Sequence, residues 1–167
     1  IVGGGFPIGV ICGKDKIMDI TDTSSHTKMD RAYIGGGTFS ANPITMTAGR
    51  AMLSHLKKNS GSLYDKIGAL GERARKELTQ VFDGKVVTTG KGSLFMTHFL
   101  SSDISEVKSA QDASRCNAKM LQKYHFDMIA KDGMFFLPGK LGAFSAVHSQ
   151  SDVKDLICAS ERFAATI

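Results

Sequence analysis

The chain has 167 residues, 42% of them hydrophobic and 22% charged, with a formal net charge of +5. That balance excludes a disordered chain and bounds the fold to one ordinary domain or two small ones. No apolar run approaches the ~20 residues of a membrane helix, and the basic residues fall in short, dispersed groups that read as solvated faces, so neither membrane nor nucleic acid is an expected partner.

In chain order, Gly3-Gly4-Gly5-Phe6-Pro7-Ile8-Gly9 lacks the spacing of a nucleotide loop and reads by itself as a tight turn. Ile8 to Cys12 is short, apolar and glycine-bounded, as a buried strand would be. Asp15 to Met18 suits a short helical turn, and Asp22 to Asp30 a polar loop. Gly36-Gly37-Thr38-Phe39-Ser40-Ala41-Asn42-Pro43 then joins a glycine turn, a hydroxyl and a helix start. Asn42 is a good N-cap and Pro43 suits N1. The unit can present a hydroxyl and backbone N–H groups to an anion. From the residues alone, Thr38 is either a turn residue or an anion contact.

The helix from Asn42 has Ile44, Met46, Met52, Leu53 and Leu56 as its apolar face and ends near Lys57-Lys58. Ser60-Gly61 breaks it before a second helix over Ser62–Phe82, with Leu63, Ile67, Leu70, Ala74, Leu78 and Phe82 at helical spacing. Lys85–Thr89 and Ser93–Leu100 are strands around the hairpin break Gly90-Lys91-Gly92. A third helix is predicted over Asp112–Ile129, strands over Met134–Leu137 and Gly142–Val147, and a last helix capped by Ser151. From about residue 84 the order β-β-α-β-β-α predicts an antiparallel sheet with helices on one face, an α+β layer.

Cys12, Cys116 and Cys158 are odd in number and without a C-x-x-C pair, which argues against a zinc site or disulfide framework and for a reducing, cytoplasmic setting. Each thiol is expected to pack as a small apolar group. His26, His55, His98, His125 and His148 show no metal spacing and read as structural or exposed. Ser145, Ser149 and Ser151 with His148 and Asp152 are sequence neighbours, whereas a nucleophilic triad needs convergence in space. Lys14 and Lys16 sit in a polar setting, unlike a desolvated catalytic lysine.

Three motifs carry a family likeness. They are the Gly36–Pro43 unit with its Ala/Gly-containing helix; Ile1-Val2-Gly3-Gly4-Gly5-Phe6-Pro7-Ile8-Gly9-Val10 with Gly13-Lys14 and Ile17-Met18-Asp19; and Gly92-Ser93-Leu94-Phe95 with Lys131–Pro138 and Ala146-Val147-His148-Ser149. Together, in collinear order over nearly the whole chain, they resemble the class III pyridoxal-phosphate aminotransferases, most of all the glutamate-1-semialdehyde aminomutase group. The likeness implies an α/β fold-type-I transferase. Residues 1–41 would end the large cofactor-binding domain, 42–83 would be bridging helices, and 84–167 a small C-terminal α+β domain with an antiparallel sheet covered by helices.

The resemblance places the Schiff-base lysine directly before Ile1. The chain is therefore expected to hold no catalytic residue and to be inactive alone. Gly37 and Thr38 would contact pyridoxal 5′-phosphate, the threonine reaching the cofactor of the neighbouring subunit, which implies a homodimer with shared sites. The substrate would be a small amino acid or amino-keto acid, and His148 a packing residue. Relatives often carry a slightly longer Pro-Ser-x-Phe-Glu-x segment where this chain has Pro138-Gly139-Lys140-Leu141-Gly142-Ala143. The missing acid makes Lys140 a candidate substrate contact. It also keeps open an ω- or β-amino-acid transaminase beside an aminomutase. A non-catalytic basic α+β binding domain is the alternative outside the family.

Overall fold

A computed structural model describes residues 2–33, 36–38 and 40–167; Ile1, Ile34, Gly35 and Phe39, with their parts of the motifs above, lie outside the described residues. The chain divides into two units, residues 1–60 and 61–167.

In the first unit Gly3–Phe6 is a tight turn, closed by the Phe6 N–H donating to the Gly3 carbonyl (3.1 Å). Helix α1 (Asp15–Met18) runs into a 3-10 turn over Asp19–Thr21. Ile8–Cys12 forms no strand, and Val10, Ile11 and Cys12 are exposed. An apolar extended segment becomes a strand only with a ladder partner, and the described residues of this unit provide none. Helix α2 (Pro43–Lys58) begins as expected: the Asn42 Oδ1 accepts from the Ile44 N–H (3.0 Å) and the Thr45 N–H (3.2 Å). Its inward face differs from the expected one. Thr45 and Gly49 are buried while Ile44, Met46 and Leu53 are exposed. A Cβ at Gly49 would lie 3.2 Å from Ile8 Cδ1, so close approach of the N-terminal segment selects small side chains there.

Helix α3 (Ser60–Val81), all but its first residue in the second unit, is separated from α2 by Asn59 alone, so the helix break falls there. Strands β1 (Val86–Thr89) and β2 (Leu94–Phe99) form the expected hairpin, with Val86 opposite Phe99 and Thr89 opposite Met96. Strand β3 (Gly142–Ala143) pairs antiparallel with β2, giving a three-stranded sheet in the order β1-β2-β3. The helix predicted over Asp112–Ile129 is two helices, α4 (Ala110–Arg115) and α5 (Ala118–Asp132). Cys116 is extended between them, and Asn117 caps α5 by accepting from the Met120 N–H (3.0 Å). Met134–Leu137 forms no strand, and only two residues of Gly142–Val147 do. Helix α6 (Gln150–Ala164) is capped by Ser149 rather than Ser151.

Among the described residues the buried apolar core runs from Leu70 to Phe163, all within the second unit. It centres on rings packed edge to face: Phe82 on Phe99 (5.3 Å), Phe82 on Tyr124 (5.8 Å) and Tyr124 on Phe163 (5.2 Å). The antiparallel sheet with packed helices agrees with the expected α+β layer. Among the described residues no helix is long and apolar enough to cross a membrane.

Candidate functional site

The loop before α2 is built by local chemistry. The Ser40 N–H donates to the Gly37 carbonyl (3.0 Å), and Ala41 takes a positive φ of 56° before Asn42. Thr38 is exposed, and among the described residues its hydroxyl makes no hydrogen bond. A Cβ built on Gly37 meets nothing within 4 Å. The helix start behaves differently from the expectation that it would offer N–H groups to an anion. Pro43 has no N–H, those of Ile44 and Thr45 go to the Asn42 side chain, and that of Met46 to the Asn42 carbonyl (2.9 Å). A strong cap satisfies the same donors an anion would use. Among the described residues the Thr38 hydroxyl is a donor the cap does not use.

Lys140 belongs to the other unit. It ends the turn Leu137-Pro138-Gly139-Lys140, closed by the Lys140 N–H on the Leu137 carbonyl (2.9 Å). Proline at the second position and glycine at φ 72° at the third are what a type II turn requires. Lys140 is exposed, and among the described residues its ammonium has no partner. The turn is held from α5: the Gly139 N–H donates to His125 Nδ1 (3.0 Å). The His125 ring is buried and stacks on Phe136, with centroids 4.8 Å apart and planes 10° apart. Burial pushes the pKa of this imidazole down. Sequence reasoning missed this contact, because it joins residues fourteen apart on a helix and a turn and leaves no local spacing signal.

Beside the turn lies a cleft of about 330 Å³, lined by Phe95, Phe136, Phe144, His148, Asp152 and Asp155 among others. Its polar groups do not form a triad. His148 Nδ1 meets the Ser145 hydroxyl (2.9 Å) and accepts from the Ser145 N–H (2.9 Å), whereas Asp152 accepts from the Ser149 N–H and hydroxyl (2.7 Å each) as a capping box. His148 thus packs and bonds locally, with its ring edge on Phe144 (5.6 Å). Lys14 and Lys16 are exposed. Cys116 and Cys158 are half-buried, but Cys12 is exposed and does not pack as expected. Among the described residues no three His, Cys, Asp or Glu side chains converge as metal ligands would.

The family model described as aminotransferase class-III matches residues 1–125. A glutamate-1-semialdehyde 2,1-aminomutase 2 of Lachnoclostridium phytofermentans is 31% identical, over 98% of this chain and 37% of its own length. The glutamate-1-semialdehyde 2,1-aminomutase of Saccharolobus islandicus (strain L.S.2.15 / Lassen #1) is 33% identical, over 94% of this chain and 34% of its own. The chain thus spans little more than a third of the curated relatives it matches. Among solved structures, an omega-transaminase from Sphaerobacter thermophilus superposes with a TM-score of 0.74 at 28% identity, over 99% of this chain and 37% of that one. A transaminase with PLP bound shares the fold, with a TM-score of 0.75 at 23% identity over 99% of this chain and 36% of that one. By the family match over most of its residues and the fold it shares with solved transaminases, this chain belongs to the class III aminotransferase family.

Proposed function

We propose that the chain supplies the C-terminal portion of a pyridoxal-phosphate-dependent enzyme of aminomutase type, which moves an amino group on an amino acid or amino-keto acid. The observation that carries this reading is the loop before α2, where the exposed Thr38 hydroxyl has no partner among the described residues and stands beside the open side of Gly37. A phosphate oxygen needs a donor the protein has not already used, and backbone bare enough to approach. Thr38 and Gly37 fit that need, and the α2 dipole favours an anion there although its first N–H groups are committed to Asn42. When bound, the cofactor supplies the electron sink for amino-group transfer.

In this reading Thr38 donates to the phosphate, and the Lys140 ammonium attracts a substrate carboxylate. A homodimer with shared sites, as the family resemblance implies, is part of this reading. The free thiols support a reducing, cytoplasmic location.

The test is Thr38→Ala in the full-length enzyme. One charge-assisted hydrogen bond is worth roughly 1.5–3 kcal/mol, so pyridoxal phosphate affinity falls about ten- to a hundredfold with the circular dichroism unchanged. Unaltered affinity would make Thr38 a turn residue only. An ω-transaminase is the second reading. It is favoured by the absence of an acidic residue from the Pro138–Ala143 segment and by the likeness to the Sphaerobacter structure. Efficient turnover of glutamate-1-semialdehyde selects the aminomutase, and turnover of amine donors instead selects the transaminase.

A further inference from the structure

The Leu137–Lys140 turn is anchored from outside by His125 of α5. Its own hydrogen bond, Lys140 N–H to Leu137 carbonyl, closes the turn but does not aim it. The Gly139 N–H points away from that ring and is taken by His125 Nδ1 at 3.0 Å. Gln122 and His125 are three residues apart and share a face of α5. A Cβ at Gly139 would lie 3.9 Å from Gln122 Cγ, so the turn rests on that face. The ring that accepts is itself fixed, buried and stacked flat on Phe136, the residue just before the turn. Acceptance at Nδ1 places the imidazole proton on Nε2. Two contacts, one polar and one stacked, thus tie both ends of the segment 136–139 to a single helical side chain.

We propose that His125 is a positioning residue for substrate recognition: it fixes the Leu137–Lys140 turn so that the Lys140 ammonium stands where a substrate carboxylate docks. This rests on the reading of Lys140 given above. Without the acceptor, the Gly139 N–H loses its partner, the turn swings on Pro138, and a lysine with four rotatable bonds no longer starts from a fixed backbone. The effect falls on binding of the carboxylate, not on the chemical step.

The experiment compares His125→Phe, which keeps a stacking ring but removes the acceptor, with His125→Asn, whose Oδ1 replaces Nδ1. Both are made in the full-length enzyme beside Lys140→Ala. In His125→Phe, hydrogen exchange at Gly139 accelerates, and the KM for an amino-acid substrate rises about three- to tenfold with kcat within about twofold. The binding of the matching amine, which has no carboxylate, stays unchanged, and His125→Asn restores both readouts. Native exchange at Gly139 in His125→Phe overturns the positioning role whatever Lys140 does. Faster exchange with unaltered substrate preference in both His125→Phe and Lys140→Ala overturns the reading of Lys140, and with it the part of His125 in recognition. Equal losses for acid and amine also overturn the proposal, because they indicate general damage. If His125→Phe does not fold, His125→Leu, which also lacks an acceptor, makes the same comparison with His125→Asn.

Discussion

Tyr124 donates its phenolic hydrogen to the Ser160 hydroxyl (2.7 Å), which passes a hydrogen on to the Leu156 carbonyl (2.7 Å). Burial pushes this phenol up to about 12. An unfolded tyrosine ionises near pH 10, so between those values the folded chain holds a proton the unfolded one has lost. The contribution is complete below pH 10 and falls by roughly 1.4 kcal/mol per pH unit up to about pH 12. Urea midpoints across that range should show the slope in the native chain and a shallower one in Tyr124→Phe. On the acid side, His98 and His125 have pKa values lowered by burial. Below pH 6.5 the unfolded chain takes up protons that these imidazoles refuse, so stability declines as pH falls. Near the candidate site, the Asn42 cap was legible in the sequence because it acts within three residues of chain. The His125–Gly139 contact was not, since only the folded unit brings helix and turn together.

Helix α3 meets the hairpin turn at Gly71, where a Cβ would run into the Gly92 carbonyl oxygen and lie 2.9 Å from the Ser93 Cα. Arg75, one turn on, donates to the Gly92 (2.8 Å) and Leu94 (2.7 Å) carbonyls. Alanine in a helix normally gains up to about 1 kcal/mol over glycine. Here the neighbours are backbone and cannot yield, so Gly71→Ala costs about 1–3 kcal/mol, to be read from denaturant midpoints. The same hairpin was readable beforehand, because Gly90-Lys91-Gly92 interrupts two β-rich runs. Two elements misled for physical reasons. Met134–Leu137 does alternate, with Phe136 buried between exposed Phe135 and Leu137, but alternation reports burial and not pairing. At α6, Ser149 and Ser151 both precede the apolar run. Ser149 has Asp152 three residues on, and that capping-box spacing held the answer.

The buried core of the described residues belongs to one unit, so the two units differ in how they resist opening. Amides of β1, β2 and α5 should exchange with the slowest hydrogens of the chain, while those between Val10 and Tyr33 exchange fast, as expected where few apolar contacts back the hydrogen bonds. Mass-spectrometric exchange on the native chain checks this, and uniform protection across both segments would refute it. The sequence was least informative at this scale. Ile44 and Leu53 in α2 are as apolar as Leu70 and Leu78 in α3, yet only the latter pair is buried. A pattern of apolar residues says that a face wants cover and not what supplies it. The ring cluster has a further consequence for synthesis. Phe82, Phe99, Tyr124 and Phe163 complete one another only when all four exist. At roughly 5–20 residues per second, a ribosome needs about 4–16 s to travel from Phe82 to Phe163. For those seconds the hairpin's aromatic side chains have no lid, and the nascent chain is at its most attractive to chaperones and to its own neighbours on a polysome.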